Sequence, residues 1–149
     1  MRLTTYTDFC VRVLIYVGLN DDRPSTTKEI ADAYGVSKNH LMKVVYDLGV
    51  KGYLNTTRGR NGGIRLGRPA AQINLGALIR DTEDSKALTE CLPGGDGQCH
   101  IQSACVMRGV MAEALGEFFA VLDRHTLADL LEQRDGLRQL FVTRVADII

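Results

Sequence analysis

The sequence predicts a mainly α-helical protein with a small β-hairpin wing, that is, a winged helix-turn-helix plus one long additional helix. Three observations predict this fold. Two short amphipathic helices flank a Gly-containing turn at about residues 27–51, and a Gly-rich hairpin pattern follows at about residues 53–67. A long apolar stripe with helical spacing then begins near residue 107. The 149 residues suffice for one compact domain with an appended arm.

The first two helices are predicted from their stripe and their caps. Thr5–Asn20 carries apolar side chains at helical spacing, namely Phe9, Val13, Tyr16, Val17 and Leu19. Cys10 lies in this apolar stretch, and we expect it to be a small buried residue. The run from Thr26 to Glu29 has the pattern of a capping box, which predicts a second helix, Thr27–Tyr34, ended by Gly35.

The third helix, Lys38–Lys51, is the candidate recognition helix. Ser37 is expected to cap it, and its inner face carries Leu41, Val44, Val45 and Leu48. N-terminal residues of a recognition helix contact bases and phosphates, so the candidate major-groove contacts are Ser37, Lys38, Asn39, His40 and Lys43. The alternative is an amphipathic core helix whose exposed first turn is merely polar.

A hairpin directly after these helices favours DNA binding. The β-prone run Tyr53–Thr57, a Gly-rich turn and the run 64–66 predict two strands with an Asn-Gly turn signal. The slim tip suits a minor groove, and its candidate contacts are Arg58, Arg60 and Asn61. Residues 1–68 hold 11 basic and 6 acidic side chains, although the whole chain has 18 of each. The alternative is a surface hairpin with solvated arginines.

Three cysteines mark a candidate metal-binding loop at residues 83–106. Cys91, Cys99 and Cys105 surround the Gly-rich run 93–97, which suits neither a helix nor a core strand. Thiolates are the ligands that iron–sulfur clusters require, and three of them leave one coordination position for another group. The alternatives are a zinc site completed by His100, a thiol–disulfide switch, or plain free cysteines.

The long helix predicted from residue 107 to about Arg124 is expected to mediate dimerisation. Its stripe consists of Met107, Val110, Met111, Ala114, Leu115, Phe118, Val121 and Leu122. A chain this small has little core left to cover such a helix, so a second copy is the expected partner, and packing within the monomer is the alternative. A short helix at 126–131 and an amphipathic tail, Leu137–Ile149, complete the C-terminal segment.

These patterns divide the chain into a winged helix-turn-helix domain (1–82), a cluster-binding loop (83–106), and the dimerisation and C-terminal helices (107–149). No catalytic Ser/His/Asp set, phosphate loop or paired carboxylates are visible, so we do not expect an enzyme. The longest apolar run, Val13–Leu19, is too short to span a bilayer, and Asp8 and Arg12 interrupt the N-terminal apolar stretch. We therefore expect a cytoplasmic protein.

Five segments together resemble one bacterial family. They are the opening segment with residues 1–4 and 7–9, the stretch YGVSKNHLMK at 34–43, the wing RGRNGGIRLG at 58–67, the three cysteines, and TLADL at 126–130. They are similar to the NsrR family of nitric-oxide-sensing repressors, within the winged-helix group that also contains the iron–sulfur regulator IscR. The resemblance covers residues 1–131. It implies a homodimer that binds palindromic operator DNA, holds one iron–sulfur cluster per subunit, and leaves the DNA when nitric oxide nitrosylates the cluster, derepressing detoxification genes.

The resemblance also implies the cluster ligands. Cys91, Cys99 and Cys105 match the cluster cysteines, and Asp8 matches a carboxylate supplied by the other subunit. IscR-like members use a His three positions after the last cysteine, where this chain has Arg108, while His100 and Glu90 remain alternative fourth ligands. A [4Fe-4S] cluster is favoured, with [2Fe-2S] as the alternative.

Arg12 is the candidate switch residue. It follows Asp8 by four positions, so the two side chains can pair on one helix face. We expect Asp8 to exchange between iron and Arg12; the alternative is that the ion pair is its whole role. Two other functions stay open, namely an IscR-like sensor of iron–sulfur or redox status and a structural-zinc DNA-binding protein.

Overall fold

The computed structural model describes residues 2–60, 62–83 and 88–146. These residues form a mainly helical fold with one two-stranded antiparallel hairpin, as the sequence predicts. The elements are α1 (Thr5–Leu19), α2 (Thr27–Tyr34), α3 (Lys38–Val50), β1 (Leu54–Thr57), β2 (Gly63–Leu66), a 3-10 turn (Ala70–Gln72), α4 (Leu75–Thr82), α5 (Val106–Asp123), α6 (Leu127–Leu130) and α7 (Arg134–Ala146). None of the helices in the described ranges is both long and apolar enough to cross a lipid bilayer.

Helix α1 is the centre of the core. It packs against α3, α4, α6 and β2, and Val13, Leu14 and Leu19 are fully buried. The apolar stripe predicted for this helix is buried apart from Phe9, which is only partly buried and packs against the core from its edge. Cys10 is fully buried among these side chains, as predicted.

Helix α2 begins with the predicted capping box. The Glu29 N–H donates to Thr26 Oγ1 over 3.2 Å, and the Thr26 N–H donates to Glu29 Oε2 over 2.7 Å. Arg23 Nη1 lies 2.7 Å from Glu29 Oε1 and holds the same carboxylate from outside the helix. Gly35 ends α2 with a φ of 64°, a conformation that glycine adopts without strain. The sharp turn into α3 is therefore determined by local sequence.

The hairpin pairs β1 with β2 in the register Leu54↔Leu66 through Thr57↔Gly63. Ser25 extends the pairing, because its N–H donates to Ile64 O over 2.9 Å and its C=O accepts from the Ile64 N–H over 2.8 Å. A Cβ atom on Gly62 would lie 2.1 Å from Thr57 O, so only glycine closes this turn. The wing is thus attached to the segment that leads into α2.

The 3-10 turn and α4 are not predicted from the sequence. Asn74 caps α4, since its Oδ1 accepts from the Ala77 N–H over 2.9 Å. Arg80 near the end of α4 forms a bidentate ion pair with Asp123 of α5, with Nη–Oδ distances of 2.6 and 2.7 Å. The same guanidinium lies 4.3 Å from the ring centroid of Phe119. These contacts connect the winged helix-turn-helix to the long helix.

The C-terminal helices return to the core. Leu127 and Leu131 are buried beside α1, and α7 packs against α2. Arg134 Nη2 donates to Gly18 O over 2.6 Å, and Arg138 Nε donates to Leu19 O over 3.2 Å. Cations at the carbonyl end of a helix oppose its dipole, so both arginines stabilise the end of α1. The predicted tail therefore begins earlier, at Arg134, and its last residues, 147–149, lie outside the described part.

Candidate nucleic-acid interface and metal-ligating loop

The first turn of α3 presents its polar side chains to solvent. Ser37, Lys38, Asn39, His40 and Lys43 are all exposed. Ser37 occupies the N-cap position, but its hydroxyl makes no capping hydrogen bond, contrary to the predicted cap. Its oxygen is therefore not committed to the helix end and can face a ligand. All five predicted major-groove contacts are therefore exposed at the start of α3, and we call the surface around them the recognition face.

The wing separates the basic residues into two groups. Arg58 and Arg60 are exposed at the tip of the hairpin, whereas Asn61, predicted beside them, lies outside the described residues. Arg65 Nη1 instead donates to Asp21 O over 3.0 Å. Arg68 lies 4.4 Å from the ring centroid of Tyr53 and donates to Gly52 O over 3.3 Å. Arg65 and Arg68 therefore support the base of the wing, and the tip arginines remain available for a polyanion.

Two tyrosine–aspartate hydrogen bonds hold the ends of α3 and β1, and sequence reasoning missed both. Tyr6 Oη of α1 donates to Asp47 Oδ2 of α3 over 3.0 Å, and Tyr53 Oη donates to Asp81 Oδ2 of α4 over 2.6 Å. Burial, reinforced by the aspartate charges, raises the pKa of both phenols well above the ordinary value. Both tyrosines therefore stay protonated donors. No local signal marks these pairs, because their members are 41 and 28 residues apart.

The three predicted cluster cysteines are free thiols on a partly exposed loop. Cys91, Cys99 and Cys105 are each half-buried, and Cys105 is the N-cap residue of α5. Thr89 Oγ1 lies 3.3 Å from Cys91 Sγ. Within the described ranges, no three His, Cys, Asp or Glu side chains are assembled closely enough to hold a metal ion. The single chain therefore supplies the thiols without bringing them into a finished site.

The loop is nevertheless anchored at its first cysteine. Leu92 is only 4% exposed and borders a cavity of about 400 Å3 between α4 and α5. Arg108 Nε donates to Cys91 O over 3.1 Å, which ties the first turn of α5 to the loop. The Gly97 N–H closes the loop on Glu90 O over 2.8 Å. The anchoring roles of Leu92 and Arg108 are not predicted from the sequence, although an apolar residue beside a candidate ligand is a usable signal.

The donor set fits an iron–sulfur cluster. Iron–sulfur clusters bind soft thiolate ligands, and this loop carries three cysteines. One further group would complete the set of four ligands. Cys91, Cys99 and Cys105 would supply those thiolates from each chain. Glu90 and His100, the alternative fourth ligands, are exposed on the same loop. The described contacts do not favour either of them over Asp8.

Asp8 and Arg12 form the predicted ion pair on the surface of α1. Arg12 Nη2 lies 2.8 Å from Asp8 Oδ2, and both side chains are more than two-fifths exposed. The Arg12 guanidinium also lies 5.6 Å from the ring centroid of Tyr34, whose hydroxyl donates to Arg12 O over 3.0 Å. Tyr34 is the last residue of α2, next to the turn before α3. The pair therefore touches the helix-turn-helix itself.

Helix α5 has an apolar face that nothing in the described chain covers. None of its 18 residues is buried, and Val106 and Val110 are 82% and 51% exposed. Met107 and Val121 are exposed as well. The other side of α5, including Leu115 and Phe119, lines the cavity shared with α4. The predicted stripe is thus divided between a face toward α4 and a face toward solvent.

The known proteins that are similar to this chain are transcriptional regulators. A family model described as Rrf2, iron-dependent transcriptional regulator, matches residues 3–133. A protein named HTH-type transcriptional regulator NsrR from Geobacillus kaustophilus (strain HTA426) is 46% identical over 145 residues, which are 97% of this chain and 99% of the relative. A protein of the same name from Bacillus subtilis (strain 168) is 46% identical over 143 residues, 94% of this chain and 97% of the relative.

A solved structure has the same architecture. The structure named T. potens IscR is 25% identical, with a TM-score of 0.70, and the match covers 89% of this chain and 88% of that chain. This likeness confirms the winged-helix fold that the two short helices and the hairpin pattern predict.

Proposed function

This chain belongs to the Rrf2 family of transcriptional regulators, and on that premise we propose that it is an iron–sulfur repressor that responds to nitric oxide. Its relatives named NsrR, at 46% identity over most of both chains, support this proposal, and they bear out the resemblance seen in the sequence. The observation that carries it is the half-buried set of three free cysteines, on a loop anchored beside α5, in a chain with an exposed recognition face.

DNA binding uses the recognition face and the wing. The first turn of α3 enters the major groove, where Asn39 and the lysines on either side of it meet base edges and phosphates. Arg58 and Arg60 reach the adjacent minor groove or its phosphates from the wing tip. The Tyr6–Asp47 hydrogen bond fixes α3 against α1, so the recognition face keeps its orientation during docking.

A homodimer covers the solvent-facing side of α5. Helix α5 leaves Val106, Met107, Val110 and Val121 exposed to water, and exposed apolar side chains along one helix are typical of a subunit interface. Two copies related by a two-fold axis present two recognition faces to the two halves of a palindromic operator. Both halves must dock together for tight binding, because the second contact is then intramolecular.

The ligands of the cluster come from two chains in this proposal. Cys91, Cys99 and Cys105 hold it from one subunit and Asp8 of the other subunit completes it, with one cluster per subunit and [4Fe-4S] favoured. When bound, the cluster supplies iron that reacts with nitric oxide. The carboxylate is the weakest of the four ligands, because it is a harder donor than thiolate.

Arg12 gives the released Asp8 carboxylate a second partner. Arg12 Nη2 lies 2.8 Å from Asp8 Oδ2, so the guanidinium is within reach of the carboxylate without any movement of α1. If Asp8 held the partner's cluster, Arg12 would keep its contacts with Tyr34 at the end of α2. The exchange therefore changes the partners of Arg12, which contacts the residue that precedes the helix-turn-helix turn, and it ties the cluster's state to the spacing of the two recognition faces.

Mixed dimers test the cross-subunit ligand set. One chain carries Asp8→Ala and the other carries Cys91→Ala, with different tags so that the heterodimer is purified anaerobically. Ligation across the dimer leaves one intact site and one doubly damaged site, so we expect one cluster per heterodimer and almost none in either mutant homodimer. A heterodimer without iron and sulfide would contradict ligation by the partner's Asp8. A colourless protein containing zinc would contradict the cluster altogether.

The response to nitric oxide is tested separately. Anaerobic titration of the wild-type protein on its operator is expected to release the DNA as nitric oxide is added. Under the alternative, a sensor of iron–sulfur or redox status, the DNA would stay bound. Asp8→Ala is expected to lose the absorbance of the cluster and, with it, the release of DNA by nitric oxide. An unchanged spectrum and an unchanged titration would remove Asp8 from the mechanism.

A further inference from the structure

The outer face of α3 carries apolar side chains that the core does not use. Met42, Tyr46 and Val50 are 54%, 70% and 71% exposed, although each is a large hydrophobic residue. They follow one another at four-residue intervals, so they form a stripe along one side of the helix. The opposite side of α3, which includes Leu41 and Leu48, is buried in the core. Burial in the core of the monomer therefore does not account for these three side chains.

Met42 lies within the recognition face. Asn39 is one turn before it on the same side of the helix, and Lys43 is its neighbour in sequence. Between Ser37 and Tyr46, the exposed side chains include two lysines, and no carboxylate is among them. A surface of this charge is complementary to DNA, and Met42 is an apolar group in its middle.

The major groove offers one apolar group to such a side chain. Each A·T pair presents the 5-methyl group of thymine beside its hydrogen-bonding atoms, and apolar side chains contact that methyl group directly. Methionine is long, flexible and polarisable, so it adapts to a methyl group at the edge of a base. Resting on the proposed function of α3 in reading DNA, we propose that Met42 is a specificity-determining residue that packs against a thymine methyl group in each operator half-site.

The same argument does not extend along the whole stripe. Tyr46 and Val50 lie about 6 and 12 Å further along the helix axis than Met42, because each residue advances an α-helix by about 1.5 Å. Both border a cavity of about 500 Å3 that Tyr6 of α1 and Asp81 of α4 line from the other side. Recognition helices contact bases with their N-terminal residues, so Met42 is the member of the stripe that meets the bases.

The experiment removes the methyl group from the DNA rather than only the side chain from the protein. Operators are first selected from a randomised double-stranded library by the full-length protein. Each thymine of the selected sequence is then replaced singly by deoxyuridine, which lacks the 5-methyl group and keeps every hydrogen-bonding atom. Affinities are measured for the wild type, Met42→Ala and Met42→Gln, with Val50→Ala as a control that trims an exposed apolar side chain of the same helix.

We expect one thymine position per half-site at which deoxyuridine weakens wild-type binding about fourfold, the effect of burying one methyl group. Met42→Ala and Met42→Gln lose this sensitivity at that position alone, while Val50→Ala keeps it. Equal sensitivity of all the proteins, or no sensitive thymine, would overturn the assignment of Met42 and leave DNA reading by α3 intact. A monomeric Met42→Ala protein would assign Met42 to a subunit contact and overturn it too. A library without any enriched sequence would instead overturn the proposed function.

Discussion

At the scale of single residues, the arginines of the wing have different roles, which depend on their local contacts. Arg58 and Arg60 are exposed at the wing tip, whereas Arg68 stacks on Tyr53 and donates to two backbone carbonyl groups. The sequence places all of them in one basic segment free of acids and does not distinguish them. The distinction arises from contacts with Tyr53 and Gly52 that form only when the hairpin folds back on α3.

Arg60→Ala is expected to affect DNA binding, and Arg68→Ala is expected to affect the stability of the fold. Arg60→Ala weakens operator binding and lowers the slope of log affinity against log salt by about one unit, since it removes one phosphate contact. It leaves the melting temperature unchanged because the side chain is exposed. Arg68→Ala lowers the melting temperature instead. Fluorescence anisotropy at several salt concentrations and thermal denaturation measure both effects, and an unchanged salt slope for Arg60→Ala would remove it from the DNA contacts.

The four cysteines are expected to divide into one unreactive and three reactive thiols. Cys10 is fully buried, and burial raises the pKa of its thiol to about 12. The loop cysteines are half-exposed, so their thiolates are accessible to reagent. An aromatic disulfide reagent at pH 8 should therefore titrate three thiols of the cluster-free native protein quickly and the fourth only after denaturation. The same native titre is expected for Cys10→Ala, and a loss of one fast thiol in that variant would contradict the assignment.

At the scale of elements, the sequence predicts the parts whose signals are local. The capping box of α2, the glycine that ends it and the hairpin turn each depend on residues a few positions apart, and the structure contains all three. The predicted hydroxyl cap at Ser37 is absent, and α4 was not predicted, although Asn74 caps it. Helix α4 has only eight residues, and its packing on α5 depends on Arg80 and Asp123, 43 positions apart. Such long-range pairs have no local signature.

The cap of α2 is expected to make stability depend on pH. Burial acts to raise the pKa of the Glu29 carboxyl, but hydrogen bonds from Thr26 and the charge of Arg23 outweigh it and lower that pKa. A lowered folded-state pKa stabilises the protein above the ordinary Glu pKa of about 4.3, and the stabilisation is lost as the pH falls through the folded-state value. Glu29→Ala should therefore reduce the free energy of unfolding by about 1 kcal/mol at pH 7.

The difference between Glu29→Ala and the wild type should shrink as the pH falls below the ordinary Glu pKa, and it should disappear once the carboxyl is protonated in both folded and unfolded chains. Urea denaturation across this pH range measures it. The exposed Glu132→Ala is the control, and it is expected to match the wild type throughout. A difference that persists at low pH would show that Glu29 acts through packing rather than through its charge.

At the scale of the whole molecule, the apolar side chains of α5 are divided between two faces. One face shares a cavity with α4 and Leu92, the residue beside Cys91, and the other is exposed. The loop cysteines are therefore joined to the same helix that we assign to the subunit interface. The sequence predicts the length and the apolar stripe of α5, but not that α4 covers only one side of it.

Val110→Glu is expected to convert the dimer into a monomer. The substitution introduces a charge into the exposed apolar face of α5, where it would be buried without a partner in a dimer. Gln133→Glu adds a similar charge at an exposed position between α6 and α7 and should leave the dimer intact. Sedimentation velocity gives the oligomeric state. Operator affinity should fall in the variant that no longer dimerises. A Val110→Glu protein that remains dimeric would place the interface elsewhere.

The most direct test of the central claim is native mass spectrometry of the full-length protein, purified without oxygen and bound to its selected operator. We expect a complex of two chains, two iron–sulfur clusters and one DNA duplex, which separates into protein and free DNA after nitric oxide is added. A DNA complex that contains no inorganic sulfide, or one that stays intact after exposure to nitric oxide, would contradict it.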